Sequence, residues 1–380
     1  MPHPYTDLPA QAFWRTGVVG TDRDTWPGLY VPKVTLTQDT RIATLGSCFA
    51  QHLGPALRAA GCTVLDVEPA PRAMTGDVAR RFGYGQFSAR TGNIYTTRQL
   101  LDLLREIAAG AADPRFVWEQ AGRFHDAFRP MVEPDGLDTQ DEVLLHRDYH
   151  LERTAQLLRQ TDVLVFTLGQ TETWVDRPSG RALPVCPGVV AGVFKPAVHQ
   201  LVTLTHAQVL DDLMRIHAML QRFNPGMKLV LSVSPVPLTA TAAGGHVLTA
   251  SSLSKATLRA AAGECAAGVA DVDYVPSYEL ITHPAMGGTW FEPNLRTVTP
   301  AAVARVMALF LAAHGLQSVT DPDAATPSCA DIVDFPPSLP SLPSLPSLND
   351  ADVPDQGLAD HSAPCDELLL DAFAPIAVAR

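Results

Sequence analysis

The sequence predicts an α/β protein built on a parallel β-sheet, and three observations carry that reading. Short apolar runs at 42–45, 63–67, 162–168, 228–234 and 272–275 alternate with stretches of helical periodicity. Alternation of this kind puts parallel strands in one sheet with helices on its faces. The run DVLVFTL at 162–168 is almost continuously apolar after Asp162, as in a strand covered on both sides. Finally, the unusual polar and glycine-rich segments all follow the carboxyl ends of these runs, where open α/β sheets bind ligands.

Composition narrows the class. The chain has 380 residues, enough for one large domain or two, and 46% hydrophobic residues support a sizeable core. A net charge of −12 gives no electrostatic support to a nucleic-acid role. The cysteines, Cys48, Cys62, Cys186, Cys265, Cys329 and Cys365, form no CxxC pair, so neither a zinc site nor a disulfide framework is indicated. No basic region followed by an apolar run opens the chain, so no signal peptide is expected. The apolar stretch 301–316 carries Arg305 and His314 and is too short to span a bilayer. A soluble cytoplasmic protein with reduced thiols is the expectation. No Walker, Rossmann or HExxH pattern occurs.

Taken in order, residues 1–40 predict an irregular arm that packs on the domain through Phe13, Trp14, Trp26 and Tyr30. The stretch RIATLGSCFAQHLG at 41–54 then reads as strand, Gly46–Ser47 turn, and a helix marked by Phe49, Ala50, Leu53, Leu57 and Ala60. This order sets Ser47 at a helix start, where free N–H groups and the positive dipole end favour an anion. A serine nucleophile suits that place, because its transition state carries an oxyanion. The plain alternative is a helix cap. Prolines in EPAPRAM stop the second strand. The loop FGYGQFSARTGNIYT at 82–96 either approaches something closely or is a long surface loop.

Leu100, Leu103, Leu104 and Ile107 predict an amphipathic helix, residues 123–130 a hairpin, and 142–160 another helix. A Pro/Gly-rich insertion is expected over 176–204. Thr205 and Gln208 form a capping box for a helix that stops before Asn224–Pro225. A flexible loop carrying His246 should precede an alanine-rich helix at 255–268, and Glu279 and His283 follow the last strand. Thr299 and Pro300 begin a helix that runs to about Gly315. The repeat SLPSLPSLPSL at 338–348 reads as an extended linker. The expected organisation is an arm over 1–40, a domain over 41–316, a linker over 317–364, and a short terminal helix over 365–380.

The blocks GSCFA, FGYGQFSARTGNIYTTRQLL, FTLGQTETW, SVSPVPLTATAAGGHVLTASSLSKATLRA, VDYVPSYELI and FEPNLRTVTP resemble, in order, those of the bacterial GSCFA domain family. The resemblance covers about residues 3–315. That family is grouped by similarity with the SGNH (GDSL-like) hydrolases, which include esterases and carbohydrate O-acetyltransferases. The resemblance implies a three-layer α/β/α, flavodoxin-like fold with five parallel strands, for which we expect the order 2-1-3-4-5. It makes Ser47 the nucleophile and Gly92, with Asn93 beside it, the oxyanion glycine. The third block begins at Gly169, where the usual asparagine is absent and Gln170 is the nearest amide.

SGNH enzymes carry an aspartate three residues before a histidine in their last block. Here Asn294 and Thr297 stand there, and neither is a base at neutral pH. The base is therefore expected from the preceding loop, as His246, with Glu279 to orient it. His283 is the lesser alternative. Cys48 is a rival nucleophile whose side chain should turn into the core. Glu172 and Trp174 would line the acceptor side, unless Trp174 simply packs in the core. Arg90 and Arg129 would bind an acidic substrate group or form surface salt bridges. The expected activity is that of a serine esterase or O-acyl(acetyl)transferase on an acylated small molecule or carbohydrate, needing no metal or organic cofactor. An inactive glycan- or acyl-ligand-binding relative is the alternative, and a scaffold that recruits a partner through the proline-rich linker is a third possibility.

Overall fold

The computed structural model describes residues 3–287, 290–316, 369–370 and 373–374. The linker expected over 317–364 and most of the helix expected over 365–380 lie outside the described residues. In chain order the first elements are β1 (Ile42–Gly46), α1 (Leu53–Ala59), α2 (Gly76–Arg81), α3 (Thr97–Ala109), β2 (Val117–Gln120), β3 (Arg123–Asp126) and α4 (Gln140–Gln160). Next come β4 (Val163–Leu168), β5 (Glu172–Asp176), β6 (Arg181–Leu183), β7 (His199–Thr203) and α5 (His206–Phe223). The chain continues through β8 (Lys228–Val233), α6 (Val247–Gly268), β9 (Val272–Val275), α7 (Ser277–Thr282) and α8 (Pro300–Ala313).

The central sheet has four strands in the order β1-β4-β8-β9, all parallel. Every residue of β1 and β4 is buried, which is why these strands read as mostly apolar runs without alternation. On one face Leu45, Phe166, Leu168, Leu229 and Leu231 pack with Leu100 and Leu104 of α3, Leu213 and Ile216 of α5, and Leu258 of α6. On the other, Ile42, Val163, Val165 and Val275 pack with Leu57 of α1, Leu280 of α7, and Val306 and Phe310 of α8. Trp26 and Tyr30 of the arm are buried in that second cluster, whereas Phe13 and Trp14 are exposed.

The run 63–67 forms a single parallel bridge, Val64 to Ile42, instead of a full strand. The reason is Ser88. The amide of Thr44 donates to Ser88 Oγ at 2.9 Å, Ser88 N to Thr44 O at 3.1 Å, and Val67 N to Ser88 O at 3.0 Å. The glycine-rich loop thus wedges between β1 and residue 67 and takes the hydrogen bonds a fifth strand would need. It is no surface loop: Phe87, Ser88, Ala89 and Tyr95 are all buried.

Elsewhere, the insertion expected over 176–204 contains strands, and the antiparallel sheet β6-β5-β7 closes over Phe116 and Trp118 through Leu183. The hairpin β2–β3 turns at Ala121–Gly122, ahead of the predicted 123–130, with φ of 50° and 78° as two-residue hairpin loops prefer. Helix α6 begins at Val247, well before residue 255, because His246 Nδ1 accepts the Leu248 N–H and caps it. The capping boxes on α5, at Thr205–Gln208, and on α4, at Thr139–Glu142, are both formed.

Gly46 is a point of close backbone approach in the sheet. Its φ is +136°, and a Cβ there would lie 2.5 Å from Thr167 O and 2.7 Å from Thr167 N, both backbone atoms. Gly46→Ala should therefore cost stability on the order of 1–3 kcal/mol or more, as conformational strain adds to the clash. Urea unfolding checks this, and an unchanged midpoint would show that the β1–β4 edge yields.

Candidate active site

Ser47 directly follows β1. Its N–H donates to Thr167 O at 3.0 Å, which extends the β1–β4 ladder by one residue. A 3₁₀ turn, Cys48–His52, then leads into α1. Ser47 occupies the N-cap position of that turn, but its side chain makes no capping hydrogen bond. The residue is 1% exposed, and among the described residues Oγ has no hydrogen-bond partner at all. A buried hydroxyl left unpaired costs about 1–3 kcal/mol, and helix-capping does not account for it. Such groups in native folds call for an explanation, often a functional one.

The other blocks converge beside it. Ile94 N donates to Gly46 O at 2.8 Å, which brings the TGN turn against the end of β1. Gly92 has φ +64°, a left-handed conformation natural to glycine. Gln51 Nε2 donates to Asn93 Oδ1 at 3.0 Å, so the NH2 end of the Asn93 amide is the one turned away from Gln51. A Cβ on Gly169 would lie 3.0 Å from Ser47 Cβ and 3.1 Å from Tyr95 O, so a glycine suits the close approach of the turn after β4 to the serine. Tyr95 O accepts from Gly169 N at 2.8 Å and Gln170 N at 3.1 Å, and so joins the second and third blocks.

The remaining predicted residues are placed differently. His246 is exposed, with Nδ1 taken by the Leu248 N–H. Glu279 lies in α7, where Arg259 Nε and Tyr274 Oη, the latter at 2.9 Å, hold its carboxylate. Among the described residues no hydrogen bond joins Ser47 Oγ to His246, and both His246 Nδ1 and Glu279 are engaged in local structure. His283 is exposed and caps the 284–286 turn through Nδ1, with its ring on Trp14 at 5.6 Å. Glu172 is buried and accepts from Thr241 Oγ1 at 2.7 Å. Trp174 packs on the Phe116–Trp118 cluster, edge-on to Phe194 at 5.3 Å. Cys48 is half-buried. In the last block Asn294 Oδ1 accepts the N–H groups of Arg296 and Thr297, and Asn294 Nδ2 donates to Thr297 Oγ1, closing a local turn.

Sequence reasoning passed over a buried ionic network that supports the glycine-rich loop. Arg90 N donates to Glu68 Oε2 at 2.7 Å, and the same oxygen lies 2.7 Å from His150 Nδ1. Arg129 bonds Asp126, Arg90 O and His146 O. Arg147 bonds Glu106 twice, and Arg181 bonds Glu106 as well. Arg90 and Arg129 are thus interior struts and not surface ion pairs. Burial and the nearby Arg129 charge push the His150 imidazole down to about 4 against the pull of Glu68. Burial opposes ionisation of Glu68, but His150, Arg129 and the Arg90 N–H together hold it down to about 2. With His150 neutral and Glu68 ionised, Nδ1 must carry the proton of their bond. Among the described residues His150 Nε2 then has no partner, and His150 lines a cavity of about 30 Å³, room for about one water.

Comparison with known proteins gives one family. The model of the GSCFA family matches residues 41–310. Among curated proteins, none matches the chain.

The network sets a pH dependence. His150 is held neutral in the fold and has an ordinary value of 6.5, so between about pH 6.5 and 4 the unfolded chain binds more protons. Stability should fall as pH drops through that window, and Glu68 should extend the fall below its ordinary 4.5. Denaturation midpoints at about pH 7.5 and 5 should differ in that direction. His150→Gln, which keeps a donor for Glu68 but does not titrate, should flatten the difference, and an unflattened profile would locate the acid sensitivity elsewhere.

Proposed function

The chain belongs to the GSCFA family, and we propose that it is a serine ester hydrolase or O-acyltransferase of the SGNH-like kind. It would act on an acylated small molecule or carbohydrate through Ser47. The observation that carries this reading is the buried, unpartnered Ser47 Oγ at the carboxyl edge of the sheet, released from capping and flanked by the TGN and Gly169 turns. In the proposed reaction Oγ bonds to the acyl carbon and the ester C–O bond breaks. The Ser47 proton ends on the departing oxygen, leaving an acyl-serine. Water or a sugar hydroxyl then takes the acyl group and returns a proton to Oγ. The Asn93 amide supports the negative oxygen of each tetrahedral intermediate, the role that usually contributes most to such catalysis.

The finer architecture belongs to the same proposal. We assign the sheet to the three-layer, flavodoxin-like arrangement and take the Val64 bridge as the vestige of a fifth strand outside β1, giving the order 2-1-3-4-5.

One observation favours a second reading. Asn294 and Thr297 bond each other where the SGNH pattern has aspartate and histidine, so that block supplies no base. On this reading the same edge binds an acyl or glycan ligand without turning it over.

A fluorophosphonate probe separates the two, because it phosphonylates only an activated serine. The wild type should label on the peptide carrying Ser47, and Ser47→Ala should abolish labelling. His246→Ala should leave labelling within about tenfold, since loss of a helix cap costs only about 0.5–2 kcal/mol. A folded wild type that never labels would favour the binding protein.

A further inference from the structure

Helix α6 buries a stripe that includes Ser251, Ser254, Lys255, Leu258 and Ala262. Two polar members of the stripe reach the turn after β4. Ser254 Oγ accepts from Thr171 N at 2.9 Å, and Lys255 Nζ donates to Gly169 O at 2.6 Å. Lys255 is only 4% exposed. Gly169 is thus gripped on two sides, its carbonyl by Lys255 and its N–H by Tyr95 O, while the space a Cβ would fill there lies against Ser47 Cβ.

Burying a lysine costs desolvation and side-chain entropy. A carbonyl can be held by any neutral donor. What a lysine adds is an amino group able to carry charge in a site where water is excluded. Such a charge acts most strongly where the dielectric is low, and the Ser47 reaction develops negative charge.

Granting the reading of Ser47 as acyl acceptor, we propose that Lys255 is its positioning residue. It fixes Gly169 against Ser47 and supplies positive charge behind the oxygen that becomes negative. His246, Asn294 and Thr297 do not provide this, since the first is exposed and the other two are neutral.

The test compares fluorophosphonate labelling rates and melting midpoints of the full chain and of Lys255→Arg, Lys255→Gln and Lys255→Met. Arg keeps both charge and donor, Gln keeps a donor only, and Met keeps neither. Arg should label within about tenfold of wild type. Gln and Met should fall by about 10²-fold or more, the scale of losing one oxyanion-stabilising group, with the Gln midpoint near that of wild type. If the Met variant fails to fold, the Arg–Gln comparison decides. Gln labelling at the wild-type rate, Arg no faster than Met, or rates that merely follow the midpoints would overturn the proposal. A folded wild type that does not label overturns the Ser47 reading itself, and this inference with it.

Discussion

The carboxyl edge of the sheet depends on how closely β1 and β4 approach at Gly46 and Thr167. With no side chain, and with φ at +136°, Gly46 lets the two backbones meet where a Cβ would clash. The ladder then continues one residue further, through Ser47 N to Thr167 O, before the chain turns. This bond holds the backbone of Ser47 while leaving its hydroxyl uncommitted. The same glycine presents its carbonyl to Ile94 N, so one residue ties the strand, the serine and the TGN turn together. Gly169 repeats the device on β4, because its missing side chain is what admits Ser47 Cβ.

Around this edge the interior is unusually ionic. Glu68, His150, Arg90, Arg129, Asp126, Arg147, Glu106 and Arg181 join α3, α4, β3 and β6 to the loop at 82–96. Buried pairs of this type contribute little net stability compared with an apolar core, but removing one partner strands a buried charge. Their effect is to fix one conformation of a loop that has no regular structure of its own. Asn93 and Ile94 owe their position to that loop, and together with His150 they line the small cavity.

The sheet was legible because buried parallel strands write themselves as apolar runs, and β1, β4, β8 and β9 all fall where 42–45, 162–168, 228–234 and 272–275 indicate. The run 63–67 failed to become a strand for a reason no local pattern contains, the capture of β1's edge by Ser88 from a loop remote in sequence. The position of Ser47 followed from strand–turn–helix order. The relay through His246 and Glu279 did not form, because sequence shows which loops share an edge but not which partners a side chain finds there. Arg259 claims Glu279, and a helix that starts at Val247 claims His246. Lys255 carried a signal that went unread. It falls on the same stripe as Ser251, Leu258 and Ala262, and a lysine on a buried stripe marks either a satisfied bond or a site.

The central claim is that Ser47 Oγ is left unbonded in order to accept an acyl group. Trapping that state tests it most directly. The full chain is mixed with p-nitrophenyl acetate, quenched in acid, digested and weighed by mass spectrometry. The account predicts one acetyl group on the peptide containing Ser47 and none on that peptide in Ser47→Ala. Acetyl groups distributed over surface lysines, with the Ser47 peptide unmodified, would contradict it.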